Sequence, residues 1–248
     1  MKPVSTQPNG RFDLLFLGSG NAFGLEGRAF SSFILNGRFM FDCGPTVLQQ
    51  LKKAKLSVHD IDALFLSHFH GDHFFGVPFF LLDSWYTHRE RPLSIVGPPG
   101  VQRRVEEIME LAYPGIPARI AFDISYTEIA DGMEGRVGGL SFTAAQVEHV
   151  PLLQCFAYKV MHGGRALVFS GDTKLCEPLL DLTADADVLV LECSCAGDRV
   201  HLSADDIREI VSHAPAHAQT IVTHLDDHPH PEGFRGLHVA SDLSRFSL

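Results

Sequence analysis

Ser67-His68-Phe69-His70-Gly71-Asp72-His73 follows directly on the apolar run Ala63-Leu64-Phe65-Leu66, and no other stretch constrains the chain so tightly. A short apolar run bounded by polar residues reads as a buried strand whose end delivers His68 into a loop. His68 and His70 alternate in an extended segment and can face one side. Gly71 lets the loop turn sharply, after which Asp72 and His73 can face a neighbouring point. Imidazoles and a carboxylate packed this closely suit zinc, and also manganese or iron. Two adjacent divalent ions are the natural occupants, because a solvated His-rich loop would not need this packing behind a strand.

The 248 residues, 45% of them hydrophobic, can bury a large core, and no linker or low-complexity tract divides them. One domain spanning residues 1–248 is therefore expected. Met1 to Gly10 is polar, with Pro3 and Pro8 and no apolar h-region, and no stretch reaches the length of a membrane span. The expected location is cytoplasmic. Five cysteines without a Cys-x-x-Cys pair read as reduced core thiols, Cys193 and Cys195 being too close for a zinc knuckle. A formal charge of −10 argues against broad adhesion to nucleic acid or anionic membrane. It leaves phosphate at a metal site open, since bound divalent cations would dominate the local field.

Along the chain, Phe12 to Leu17 predicts a first strand and Gly18-Ser19-Gly20-Asn21-Ala22 a tight loop. A dinucleotide fingerprint would need a third glycine and a following helix. Instead Ser31 to Leu35 and Arg38 to Phe41 predict strands joined at Asn36-Gly37, a strong hairpin turn. Asp42 then reads as a helix-start residue ahead of a helix over Thr46 to Ala54, with Val47, Leu48 and Leu51 at helical spacing. Phe74 to Leu82 predicts a buried helix with Pro78 in its first turn, its aromatics belonging to the core. A strand over Leu93 to Val96 and a turn at Gly97 to Gly100 precede a helix with Val101, Val105, Ile108 and Ala112 along one face, ended by Tyr113-Pro114-Gly115.

Ile120 to Val147 reads as short strands broken at Asp131-Gly132 and Gly138-Gly139. A strand over Ala166 to Phe169 runs into Ser170-Gly171-Asp172-Thr173, and a carboxylate at a strand's end can place one oxygen on each of two cations. Val188 to Leu191 predicts another strand, ending at Glu192. Ser203 with Asp206 forms a capping box for a helix whose apolar face holds Ile207, Ile210 and Val211. Thr220 to Thr223 is a last strand, ending at His224. His213, His217, His228, His230 and His238 read as surface residues.

His68-x-His70-x-Asp72-His73 resembles the signature of the metallo-β-lactamase superfamily, and the later segments follow that family's order across essentially the whole chain. The resemblance implies a four-layer αββα sandwich of two mixed sheets with metals in a cleft at one edge. It implies His68, His70 and His149 on a first metal, Asp72, His73 and His224 on a second, and Asp172 bridging. An aspartate in the Phe-Asp-Cys-Gly context of Asp42 would lie beneath the site and hold a ligand. His149-Val150-Pro151 resembles the phosphodiesterase branch that includes ribonuclease Z, whereas thioesterases, glyoxalases and lactonases carry a Gly-His-Thr-Pro-Gly type segment. Glu192 and His201 resemble the pair that assists leaving-group protonation in ribonuclease Z-like enzymes, with Leu191-Glu192-Cys193-Ser194 standing in place of the usual His-Glu-Ala-Thr.

The expectation is therefore a hydrolase with two divalent ions, zinc first and manganese or iron as alternatives, that uses a metal-bridging hydroxide on a phosphodiester. Asp72 would orient the nucleophile and His201 would protonate the leaving oxygen. Ribonuclease Z carries a long arm for transfer RNA between the third histidine and the bridging aspartate. Here only Val150 to Gly171 fills that interval, so small phosphodiesters such as cyclic nucleotides are expected ahead of RNA. The alternatives are a transfer RNA 3′-processing endonuclease, another esterase of the same fold (sulfatase, lactonase or thioesterase), and a non-catalytic metal-binding scaffold. Many relatives are homodimers, which makes a homodimer an expectation here too.

Overall fold

The computed structural model describes residues 10–194, 200–227 and 231–248. In chain order the described elements are β1 (Asp13–Gly18), β2 (Ser32–Leu35), β3 (Phe39–Phe41), α1 (Val47–Lys53), β4 (Ala63–Phe65), α2 (Gly71–Phe74), α3 (Val77–Tyr86), β5 (Leu93–Gly97), α4 (Val101–Ala112) and β6 (Ile124–Glu128). There follow β7 (Glu134–Val137), β8 (Leu140–Val147), β9 (Cys155–His162), β10 (Arg165–Phe169), α5 (Glu177–Thr183), β11 (Val188–Glu192), α6 (Ala204–His213), β12 (Gln219–Thr223), β13 (Leu237–Val239) and β14 (Arg245–Ser247). The strands form two 7-stranded sheets, ordered β14-β1-β2-β3-β4-β5-β6 and β13-β12-β11-β10-β9-β8-β7. Both are mixed: β3 to β6 run parallel in the first, and β10 to β13 in the second.

Strand periodicity shows why these sheets stack. Side chains alternate between faces, yet β3 and β4 are apolar at every position and β2, β10 and β11 at all but one, so both faces must be covered. On β1, Leu14 and Phe16 enter the core between the sheets, while Leu15 and Leu17 face α1, α3 and α4. On β11, Val188 and Val190 join the same central core, while Leu189 and Leu191 pack with α5 and α6. Three apolar layers thus separate four layers of structure, the expected αββα sandwich. The chain's phenylalanines concentrate in the middle layer, where Phe33 stacks on Phe41 at 4.8 Å and Phe41 on Phe65 at 4.9 Å. Phe169 of the opposite sheet meets Phe33 edge-on at 5.2 Å. Such pairs add roughly 0.5–1.5 kcal/mol each beyond burial.

The Asn36-Gly37 hairpin forms as read, both residues at positive φ (51° and 70°) between β2 and β3. The α4 face differs slightly: Met109 is buried with Val101 and Val105 at four-residue spacing, and Ala112, in the last turn, is exposed. Helix α5 and the edge strands β13 and β14 carry no clear sequence signal. β13 closes one sheet and β14 the other. His238 on β13 is half-buried, not a surface residue, donating Nε2–H toward Gln219 Oε1 at 3.3 Å and lying 5.4 Å from the Phe246 ring. His213 and His217 are exposed as expected, while His228, His230 and Cys195 fall outside the described residues. Cys43, Cys155 and Cys176 are free, buried thiols, Cys193 is buried too, and burial pushes Cys155 up to about 12. Among the described residues, no helix is long and apolar enough to cross a membrane.

Two bonds tie the root of the His-rich loop to the opposite sheet. The fully buried Tyr158 of β9 donates its hydroxyl to Leu66 O at 2.8 Å, and Phe156 N donates to Ser67 O at 3.0 Å. Tyr158→Phe would leave the Leu66 carbonyl unsatisfied, at a cost of about 1–3 kcal/mol. Urea denaturation should show a lower midpoint with an unchanged m-value; an unchanged midpoint would mean the bond contributes nothing.

Candidate metal centre

Every candidate ligand sits at or just beyond the carboxyl end of a strand, on one rim of the sandwich. Asp42 leaves β3, the His68 to His73 segment leaves β4, His149 follows β8, Asp172 follows β10 and His224 follows β12. Helical turn α2 places Asp72 and His73, so Gly71 does not act as a left-handed turn. Its need is space, since a Cβ there would meet the Phe75 ring at 2.9 Å. Gly171 does require its conformation: φ is +56°, and a Cβ would lie 2.8 Å from Phe156 O and 2.9 Å from Ser67 Cβ. Asp42 and His224 hold positive φ (55° and 54°) without being glycine, strain of the kind that concentrates at functional sites.

The side chains converge in two overlapping clusters: His68, His70, His149 and Asp172, and Asp72, His73, Asp172 and His224, with candidate ligand atoms within 4.8 Å of one another in each. Asp172 is common to both. Its Oδ2 lies 3.2 Å from His73 Nε2, 3.3 Å from His224 Nε2, 3.8 Å from His68 Nε2 and 4.0 Å from His149 Nε2. His70 Nδ1 is 3.2 Å from His149 Nε2, and His73 Nε2 is 3.2 Å from His224 Nε2.

Hydrogen bonds at the far nitrogens test whether these groups suit a metal. Ser67 donates its hydroxyl to Asp42 at 2.9 Å, so the 3.0 Å contact with His68 must have His68 Nδ1–H donating to Ser67 Oγ. His68 Nε2 is left as a bare lone pair, buried and without a hydrogen-bond partner, as is Asp172 Oδ1. His73 Nδ1–H donates to Asp42 at 2.6 Å and His149 Nδ1–H to Val200 O at 2.9 Å. Ser194 gives its hydroxyl to His224 O at 2.7 Å and so accepts from His224 Nδ1–H at 3.0 Å. Four imidazoles therefore have their tautomers set from behind and turn Nε2 inward, the arrangement typical of metal-bound histidine. Inward lone pairs and carboxylates call for cations, and the residues fit divalent ions. Asp42 thus proves to be the residue that holds His73, while the residue capping α1 is Thr46.

Electrostatics agree with that fit. Burial lowers His68, His70 and His149, keeping them neutral as metal ligands must be. Burial also works to lower His73, but Asp172, Asp72 and Asp42 raise it well above its ordinary value. Burial would raise Asp72 and Asp172, yet the surrounding imidazoles outweigh it and hold both carboxyls below the usual range. The cluster stabilises positive charge in its midst.

Beside the ligands, His201 Nδ1–H donates to Glu192 Oε1 at 2.8 Å. Backbone N–H groups of Thr173 (3.0 Å) and Ser194 (3.2 Å) fix the Glu192 carboxylate, which burial raises. A cavity of about 410 Å³ opens over this assembly, lined by His70, Asp72, His149, Asp172, His201 and His224 together with Phe23, Leu25, Val150, Asp226 and Asp227. Sequence reasoning missed Ser67, Ser194 and the Val200 carbonyl as tautomer anchors and Phe23 on the rim. Only the adjacency of Ser67 to His68 could have flagged one of them.

Residues 12–238 match the family described as anti-Pycsar protein Apyc1. The chain belongs to this family. The Apyc1-family chain is also similar to ribonuclease Z of Methanosarcina mazei, at 26% identity over 86% of this chain and 87% of that protein. Its fold resembles human tRNase Z, short form (TM-score 0.77, 23% identity, 94% of this chain and 98% of that one). It likewise resembles the metallo-β-lactamase fold protein YhfI from Bacillus subtilis (TM-score 0.78, 18% identity, 96% and 100%). The Apyc1-family chain thus has the metallo-β-lactamase fold and lies on its ribonuclease Z-like branch.

Asp42 accepts from Ser67 N, the Ser67 hydroxyl and His73, so Asp42→Asn should disturb two imidazoles at once. Residues that orient ligands from behind typically cost 10–100-fold in metal affinity when changed. Metal titration against a chromophoric chelator should show a loss of about that size with the circular dichroism spectrum unchanged. Wild-type affinity in the variant would show that Asp42 has no such role.

Proposed function

We propose that this metal-dependent hydrolase is a binuclear phosphodiesterase with zinc as its metal and small phosphodiesters, cyclic nucleotides foremost, as its substrates. The observation that carries the reading is the Glu192–His201 pair, at 2.8 Å, set in the same cavity as the two ligand clusters. A metal scaffold would have no use for a hydrogen-bonded acid–base pair beside its ligands. His68, His70, His149 and Asp172 would hold one ion, and Asp72, His73, Asp172 and His224 the other. When bound, two divalent cations lower the pKa of water and offset charge on phosphoryl oxygens. Asp72 lines the cavity and would orient the attacking water, its Oδ2 held 3.2 Å from His224 Nε2. With Nδ1 engaged by Glu192, His201 has Nε2 as the atom that would hand a proton to the leaving oxygen. The free, buried thiols of Cys43, Cys155 and Cys176 suit a reducing, cytoplasmic compartment.

A small substrate is supported by the interval between His149 and Asp172, where β9 and β10 pair up to His162↔Arg165 and close through Gly163-Gly164 with no inserted arm. The relatives named ribonuclease Z favour a second reading, cleavage of precursor transfer RNA. Assays on cyclic nucleotides and on precursor transfer RNA decide between them; efficient processing of the RNA with none of the small diesters would overturn the proposal. Elemental analysis of protein purified without chelator should give about two metal ions per chain. A ratio near one that added zinc does not raise would remove the binuclear reading.

His201→Ala should lose on the order of 10²–10⁴-fold in kcat on diesters with alkoxide leaving groups, the usual span for a general acid. A bis-aryl phosphate, whose leaving group needs little protonation, should suffer far less, and metal content should hold. Equal losses on both substrates, or loss of metal, would rule out the general-acid role.

A further inference from the structure

Most exposed apolar side chains in this protein lie away from the cavity, as Tyr86, Leu111 and Leu152 do. Phe23 is 81% exposed and stands on the cavity wall beside Leu25 and Val150. It belongs to none of the three apolar cores. Its position is nonetheless fixed. Phe23 N donates to the side chain of the buried Asn21 at 3.1 Å, Gly24 N donates to Asn21 O at 3.1 Å, and Asn21 N donates to Leu225 O at 3.3 Å. The base of the loop is clamped by Asp242, which accepts from Ser19 N (3.0 Å), the Ser19 hydroxyl (2.9 Å) and Ala29 N (2.7 Å). A buried amide and a buttressing carboxylate thus hold the backbone from which the exposed Phe23 side chain lines the cavity.

The rest of the wall narrows what that ring can meet. Among the described residues lining the cavity none is Lys or Arg, whereas Asp226 and Asp227 are present. Beyond the ligand clusters the described lining therefore offers a substrate apolar surface and no cationic side chain, which suits a neutral planar ring and disfavours a second phosphate.

We propose that Phe23 is the specificity-determining residue of this site, forming one face of a slot for the planar ring of the substrate, a nucleobase or an aryl group, while the phosphoryl group lies at the ligand clusters. The placement of the phosphoryl group rests on the phosphodiesterase reading. Stacking on an aromatic side chain tolerates any ring with a π-face, so Phe23 would favour nucleotides over sugar phosphates without choosing the base by itself.

The test is calorimetry on the full-length, metal-loaded protein with a nucleoside 5′-monophosphate, phenyl phosphate and ribose 5-phosphate. The wild type should bind ring-bearing ligands roughly 5- to 150-fold more tightly than ribose 5-phosphate, the span of base–aromatic stacking. Phe23→Ala should lose most of that gain and Phe23→Trp should keep it, with equal metal content in all three. At 81% exposure the residue can be truncated without touching the core. A larger gain for the nucleotide identifies a nucleobase, and an equal gain for phenyl phosphate an aryl ester. No gain from the ring in the wild type, or a gain that survives in Phe23→Ala, overturns the slot. Tight ring binding by a protein that hydrolyses no phosphodiester would sink the functional reading alone.

Discussion

Lone pairs and carboxylates buried face to face cannot be satisfied by protein atoms, and the rim of this sandwich is built around that conflict. Asp172 Oδ1 and His68 Nε2 have no hydrogen-bond partner, and Nε2 atoms of His73 and His224 face each other at 3.2 Å. Left to itself such a cluster would repel or would drift into internal hydrogen bonds. The fold prevents the drift from behind, with Asp42, Ser67, Ser194 and the Val200 carbonyl each occupying an outer nitrogen or a group that occupies one. A divalent ion resolves the conflict because it is the one partner that accepts several lone pairs at once.

The sandwich supplies the rigidity this requires. Parallel strands of both sheets end on the same rim, so candidate ligands separated by as many as 152 positions, Asp72 and His224, meet without long loops. Apolar layers on both faces of each sheet hold the strand ends in place. Tyr158 then carries that order into the loop after β4 by reaching across to Leu66 O. Asp42 and His224 hold positive φ directly after buried strand residues, Phe39–Phe41 and 220–223.

The cavity holds two kinds of chemistry. Imidazole and carboxylate concentrate where the two candidate ligand clusters overlap, with Glu192 and His201 hydrogen-bonded to each other beside them. Phe23, Leu25 and Val150 give the same cavity its apolar lining, with Asn21, Asp226 and Asp227 as its other polar side chains away from the clusters. The proposed function draws on both, since it takes a small ester with one charged centre and one flat substituent.

The sequence alone determined what local pattern can encode. Apolar runs ending in His68, Asp172 and His224 marked strand ends at the site, Asn36-Gly37 marked its hairpin, and Ser203 with Asp206 its capping box. Each is a short-range preference of neighbours along the chain. Tertiary structure decided the rest. Asp42 could have been a helix-start residue, and only the 2.6 Å contact with His73 settles what it holds. Ser194 and the Val200 carbonyl carry no mark in sequence, because a hydroxyl or a backbone oxygen becomes a tautomer anchor only when a distant histidine arrives. The edge strands β13 and β14 are short and partly polar, so their pairing comes from the sheets they close and not from their own propensity. Phe23 carries no mark in sequence, and only the fold leaves it outside the apolar cores and on the cavity lining. Local propensity acts between neighbours in the chain, and these assignments are fixed by contacts between residues that only folding brings together.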